Sequence, residues 1–186
     1  ARLAESLLPL MDGKKEEIIA SAEDLLNSFE QIYKSKWLSM MGSKLGFAET
    51  GQEDEKLITE LLDWMHKNSA DFTNTFLKLC KEEIPNGALY ASESFQNWHV
   101  RWQNRLRKEE QGLETSFALM RSVNPAVIPR NHKVEEALQA GEEGNFKPFH
   151  DLLNAVEKPY VDGDHLLPYQ APPEPGEKVL QTFCGT

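Results

Sequence analysis

Between Ile18 and Val156 apolar residues recur every three or four positions, and nowhere do they alternate with polar ones over a strand's length. That period puts them on one face of an α-helix and leaves strands without a hydrophobic side. Ile18, Ala22, Leu25, Phe29 and Ile32, widened by Ile19, Leu26 and Tyr33, predict one long amphipathic helix over roughly 15–39, broken at Met41-Gly42-Ser43 and by the Gly46 to Gly51 stretch. Leu57 to Met65, then Phe72, Phe76 and Leu79, mark two more. Phe95, Trp98, Trp102 and Leu106 share a face, as do Leu113, Phe117 and Met120, and Phe149, Leu152, Leu153 and Val156 close the series. The fold class expected is all-α, a multi-helix bundle with short connections. After Pro159 the pattern stops. Pro168, Pro172, Pro173 and Pro175 block helix continuation. The expected organisation is therefore an α-helical domain over 1–159 and an extended, proline-rich tail over 160–186. Tyr160, Leu166, Leu167, Tyr169, Val179, Leu180 and Phe183 supply apolar anchors that pack at least part of that tail along a surface.

With 186 residues one domain is the default, large enough to bury about 70% of its unfolded surface without disulfides. Net charge is −10, and residues 135–186 carry ten acidic side chains against three lysines. Nucleic acid is excluded as the main partner, because phosphate binding needs clustered Lys and Arg. The one basic stripe, Arg101, Arg105, Arg107 and Lys108, reads as a solvated helix face rather than an anion site. No apolar run approaches the ~20 residues that span a bilayer, so no membrane partner is expected. The chain opens at Ala1, without methionine or a charged-then-apolar signal segment, as an excised or processed segment would. Two cysteines give neither a disulfide framework nor zinc spacing and suit a reducing compartment. The localisation expected is the bacterial cytoplasm, or the mitochondrion for a eukaryotic chain.

Arg121 to Leu138, RSVNPAVIPRNHKVEEAL, poses the functional question, because it reads either as a catalytic loop or as a rigid corner. Asn124 precedes Pro125 and so avoids the α region, which stops one helix. Pro129 stiffens the connection, and Asn131 is placed to cap the next helix. Glu135 and Glu136 complement that helix's dipole. Arg130 is left over, free to clamp a carboxylate on a neighbouring element. His132 has no ligand or acid at useful spacing, so the corner reading is preferred. No glycine-rich phosphate loop, H-E-x-x-H or G-x-S-x-G occurs. Adjacent acidic pairs such as Glu16-Glu17, Glu82-Glu83 and Glu142-Glu143 diverge on a helix and are solvated charges. His66 and His99 read as boundary residues, and the four tryptophans as core or interface anchors. Catalytic, cofactor-binding and metal-binding residues are expected to be absent from this chain. Cys80, beside Phe76 and Leu79, reads as a small buried hydrophobe. Cys184, two residues from the end, is either an idle thiol or a redox one.

NPAVIPRNHKVEEAL, GNFKPFHDLLNAVEKPY and YQAPPEPGEKVLQTFCGT together closely resemble the C-terminal end of the selenoprotein O family. ARLAESLLPL and ADFTNTFLKL are similar to other stretches of that family, so the resemblance runs from Ala1 to Thr186. It implies a protein adenylyltransferase with a protein-kinase-like fold that binds ATP in a flipped orientation with Mg or Mn and transfers AMP to protein hydroxyls. The family's nucleotide, metal and catalytic residues lie N-terminal to the region matched here, so none carries over. The segment would then be the helical C-terminal part, with its own upstream kinase-like lobes and the parent's protein substrates as partners. Cys184 matches the position of the family's terminal selenocysteine or cysteine, which makes it a candidate redox residue. Gln181 stands where selenocysteine members carry a second cysteine, so a local redox pair is not expected. Two other functions compete: a stand-alone acidic helical interaction module, and a small thiol redox protein using Cys184.

Overall fold

A computed structural model describes residues 2–81 and 85–179. Its elements are α1 (Arg2–Leu7), α2 (Lys15–Lys44), α3 (Gln52–Lys67), α4 (Phe72–Leu79), α5 (Glu93–Leu106), α6 (Gly112–Val123), α7 (Asn131–Glu142), α8 (Lys147–Val156) and the one-turn α9 (Leu167–Gln170). Short 3-10 turns cover Leu8–Leu10, Asp164–Leu166 and Pro175–Glu177. No strand occurs among the described residues, so the all-α expectation holds. The chain forms two compact units, Ala1–Met41 and Gly42–Thr186.

In the first unit Leu25, Leu26, Phe29, Ile32 and Tyr33 are exposed on α2, and Phe29 and Tyr33 stack at 6.0 Å between centroids. The stripe is amphipathic in sequence, yet its apolar side faces outward. A periodic pattern states which face seeks burial, and only the surroundings state whether burial is supplied.

The helix also runs past the expected break, to Lys44. Gly42 does not end it, because a Cβ there would overlap the Thr50 side chain, so the glycine serves close approach. The stop comes at Gly46, with φ +86°. The Phe47 N–H donates to Gly42 O at 3.0 Å and the Gly46 N–H to Ser43 O at 3.1 Å. This pair of bonds is a Schellman cap, which favours glycine at the left-handed position.

The second unit is built around α5. Phe95, Trp98, Trp102 and Leu106 are all buried, as their spacing requires. Trp98 Nε1 donates to Leu57 O at 2.8 Å and Trp102 Nε1 to Leu45 O at 3.0 Å. The two indoles thus bury their area and satisfy their only donors while tying α5 to α3 and to the turn after α2. His99 is not a boundary residue. It is buried between the rings of Phe95 (5.7 Å) and Trp102 (5.1 Å). Burial holds its pKa below the ordinary histidine value. The unfolded chain then takes up a proton that the folded chain resists, so stability is full above about pH 6.5 and falls as pH drops below it. His99→Gln is expected to flatten the melting temperature between about pH 6.5 and 5 relative to the parent. A variant whose pH profile matches the parent's would remove His99 as the cause.

Beyond Pro159 the chain is not simply extended, as the prolines suggested. Pro168 and Pro175 start a helical turn and a 3-10 turn, where the missing N–H is no loss. Leu166 is buried against Ala126, Val127 and Ala155, with Leu77, Val156 and Tyr169 around them. Asn74 Nδ2 donates to Gln170 O at 3.0 Å. The start of the tail is thus anchored to the second unit, with Leu166 in its core and Tyr169 partly buried beside it.

Candidate functional site

The Asn124 to Asn131 junction is a corner. Asn124 adopts extended φ/ψ of −108° and 108° at the C-cap of α6, as a residue before proline should. It is buried, and its amide works on both sides. Nδ2 donates to Lys44 O at 2.9 Å and contacts Cys80 Sγ at 3.5 Å, while Oδ1 accepts from Lys44 Nζ at 3.3 Å. Lys44 Nζ also donates to Val123 O at 3.0 Å. One asparagine and one lysine therefore lace the end of α2 to the end of α6. Past Pro125, the Ala126 N–H donates to Pro159 O at 2.6 Å and that of Val127 to the same oxygen at 3.4 Å. This seats the junction against the exit from α8.

Arg130 makes the carboxylate clamp anticipated from sequence, and the partner is Asp71. Nη1 donates to Asp71 Oδ2 at 2.8 Å and Nη2 to Oδ1 at 3.0 Å, with Asn74 Oδ1 at 3.3 Å. Asp71 is itself the N-cap of α4, accepting from the Asn74 N–H at 2.8 Å. Burial alone would raise the Asp71 carboxyl, but the Arg130 and Asn74 hydrogen bonds and the guanidinium charge outweigh it and hold it below the usual range. Arg130 is only 8% exposed, and its Nε has no partner. Asp71 and Asn74 escaped the sequence reading because nothing local ties residue 71 to residue 130. The Asp71 N-cap pattern was the available signal.

Asn131 does not cap α7. It is the first helical residue, Arg130 occupies the N-cap position, and no side chain caps that end. Arg130 brings extended backbone to the cap position while its side chain is committed to Asp71. Pro129 is exposed at the rim, and His132 is half-buried beside it.

The basic stripe at the end of α5 and just past it is not a solvated face throughout. Arg105 Nε and Nη2 grip Asp54 at 2.7 and 3.2 Å, and Nη1 donates to Glu109 at 2.5 Å. Its guanidinium lies over the Phe47 ring at 4.4 Å from the centroid. Arg101 pairs with Glu60 at 2.6 Å. Cys80 is buried and donates to Phe76 O at 3.2 Å. Burial pushes its thiol up to about 11, so it is an inert packing group. Cys184 lies outside the described residues.

The resemblance implies ATP and a divalent metal for the longer protein, and the described residues offer no donor set that fits the metal. Among the described residues no three His, Cys, Asp or Glu side chains come together as a metal would need. The two most enclosed guanidinium groups already hold carboxylates of this chain. No step of nucleotide chemistry follows from these side chains.

The fold and junction define an all-α scaffold whose enclosed charges hold helices to one another. The family model for "Protein adenylyltransferase SelO" matches residues 1–157, and the chain belongs to that family. Among its relatives, "Protein nucleotidyltransferase YdiU" of Alcanivorax borkumensis is 49% identical over 186 residues. The proteins of the same name from Nitrosococcus oceani and Alkaliphilus metalliredigens are 43% and 42% identical over 187 residues. In each comparison all of this chain is matched, and it spans 38% of the relative's length. No helix among the described residues is long and apolar enough to cross a membrane.

Proposed function

We propose that this chain is the C-terminal helical segment of a longer protein adenylyltransferase, which transfers AMP from ATP, with Mg or Mn, to Ser, Thr or Tyr hydroxyls of proteins. Its own contribution is structural and regulatory, and the catalytic residues belong to the kinase-like part. The carrying observation is that relatives named protein nucleotidyltransferases match the whole of this chain with only 38% of their own length. The outward apolar side chains of α2 support the same reading, because a face of this size invites a covering partner. That partner is the kinase-like part of the same polypeptide; neither nucleic acid nor membrane is one. The compartment is the bacterial cytoplasm, or the mitochondrion in a eukaryote.

Two assays test this. ATP labelled on its α-phosphate is incubated with a protein acceptor and either the full-length protein or the 186-residue chain, and ATP binding to each is measured by calorimetry. Label transfer and ATP binding are expected for the full-length protein alone. Tight ATP binding by the 186-residue chain would overturn the division of labour. A native polypeptide of 21.2 kDa on a blot of source cells would instead favour a stand-alone interaction module, a reading to which the exposed α2 face also lends itself.

A further inference from the structure

Helices α7 and α8 pack together and leave an apolar groove of about 180 Å³ between them. Pro129, Val134, Leu138, Phe149, Leu153 and Val156 line it, with Ala137 and Leu152 at its floor. Leu138 is 54% exposed, Phe149 46% and Leu153 42%, so three large apolar side chains on adjacent helices stand open together. The groove carries almost no polar atoms, so it has little to offer a nucleotide or a sugar. It suits an apolar peptide side chain.

The chain itself can supply such a peptide. Val179 is the last described residue, and it lines a neighbouring recess together with Ile128, Pro129 and Arg130. Pro129 is common to both hollows, so the described chain ends in the recess that adjoins the groove. Seven residues follow, Leu180-Gln181-Thr182-Phe183-Cys184-Gly185-Thr186, outside the described set. Extended, they reach ~23 Å, whereas α7, with 12 residues, is about 18 Å long. The segment is therefore long enough to follow the groove. It carries two large apolar side chains, Leu180 and Phe183, and no charged side chain. Tethering at the rim gives it an effective concentration that a separate molecule must match.

We infer that the groove between α7 and α8 is the dock for the chain's own C-terminal segment, with Leu180 and Phe183 as anchors, so that docking sets how freely Cys184 can meet another thiol. The inference stands apart from the proposed enzymatic role, because the dock and its occupant both belong to this chain.

A nitroxide on Cys184 tests it in the 186-residue chain. Cys80 is buried and hydrogen-bonded, so labelling of the folded protein is selective. Backbone amides of α7 and α8 are expected to relax several-fold faster than those of α5. Two variants, Leu153→Asp and Phe183→Ala, should each abolish that excess; Leu153 is 42% exposed, and an unchanged melting temperature of each variant checks that the fold is retained. Weak enhancement spread over the whole surface, an excess that survives both variants, or an excess centred on another element would overturn the inference. So would a full effect in a mixture of isotope-labelled, spin-free chain with spin-labelled, isotope-free chain, since the occupant would then be a second copy.

Discussion

Replacing Arg130 with alanine is expected to destabilise the second unit by about 3 kcal/mol, because removing one partner of a largely buried ion pair strands the other. Asp71 would lose two charge-assisted bonds at 2.8 and 3.0 Å while remaining half-enclosed at the start of α4. For a chain of this length that corresponds to a fall of roughly 6–12 °C in melting temperature. Arg130→Lys should sit between the two, since an ammonium cannot make the bidentate fork. The clamp also has a pH signature. The Asp71 carboxyl is held below its ordinary range in the folded chain, so its contribution is complete above the unfolded pKa of about 3.9 and is lost as pH falls through the folded value. Arg130→Ala should remove most of that acid-sensitive part. Denaturant titrations of both variants and of Asp71→Asn, combined as a double-mutant cycle, measure the coupling. A coupling within error of zero would reduce the pair to a surface contact.

Leu166→Ala is expected to cost a similar amount, about 3 kcal/mol, through lost apolar burial and the cavity left behind. Leu166 is the one buried residue among the tail's described residues, and it closes over Ala126, Val127 and Ala155, a strip whose first two residues hydrogen-bond to Pro159 O. Removing residues 160–186 altogether should be at least as damaging and should lower solubility, because that strip would then face water. Thermal melts of the point variant and the truncation settle it. An unchanged midpoint in both would mean that the tail rests on the helices without stabilising them.

The two effects meet at one place. Arg130 holds the junction to α4 from one end, and Leu166 holds its middle against α8 from the other. A corner between two helices is thus fixed by one ionic contact and one apolar one. That is the physical content of the Asn-Pro…Arg-Asn stretch: it positions helices, and its Arg is spent in doing so.

Much of this was legible in the sequence. The spacing of Phe95, Trp98, Trp102 and Leu106 identified the buried face of α5, and Asn124 before Pro125 identified a helix end, since both follow from local geometry that any surroundings must respect. Arg130 could be recognised as free to clamp a carboxylate, because the corner left its guanidinium without a local role. Other features belonged to the tertiary structure. Which carboxylate answers Arg130 depends on bringing residue 71 to residue 130. Gly42 looked like a helix breaker and is instead a point of close approach, because Thr50 lies against it. His99 looked like a boundary residue and is enclosed, because the rings of Phe95 and Trp102 close around it. Asn131 looked like a cap and became the first helical residue once Arg130 took the cap position. The sequence by itself determined the helices and the stop at Asn124-Pro125, because period and proline act over a few bonds. Only the tertiary structure decided which partners their side chains found, because ion pairs, close contacts and burial are made between residues far apart along the chain.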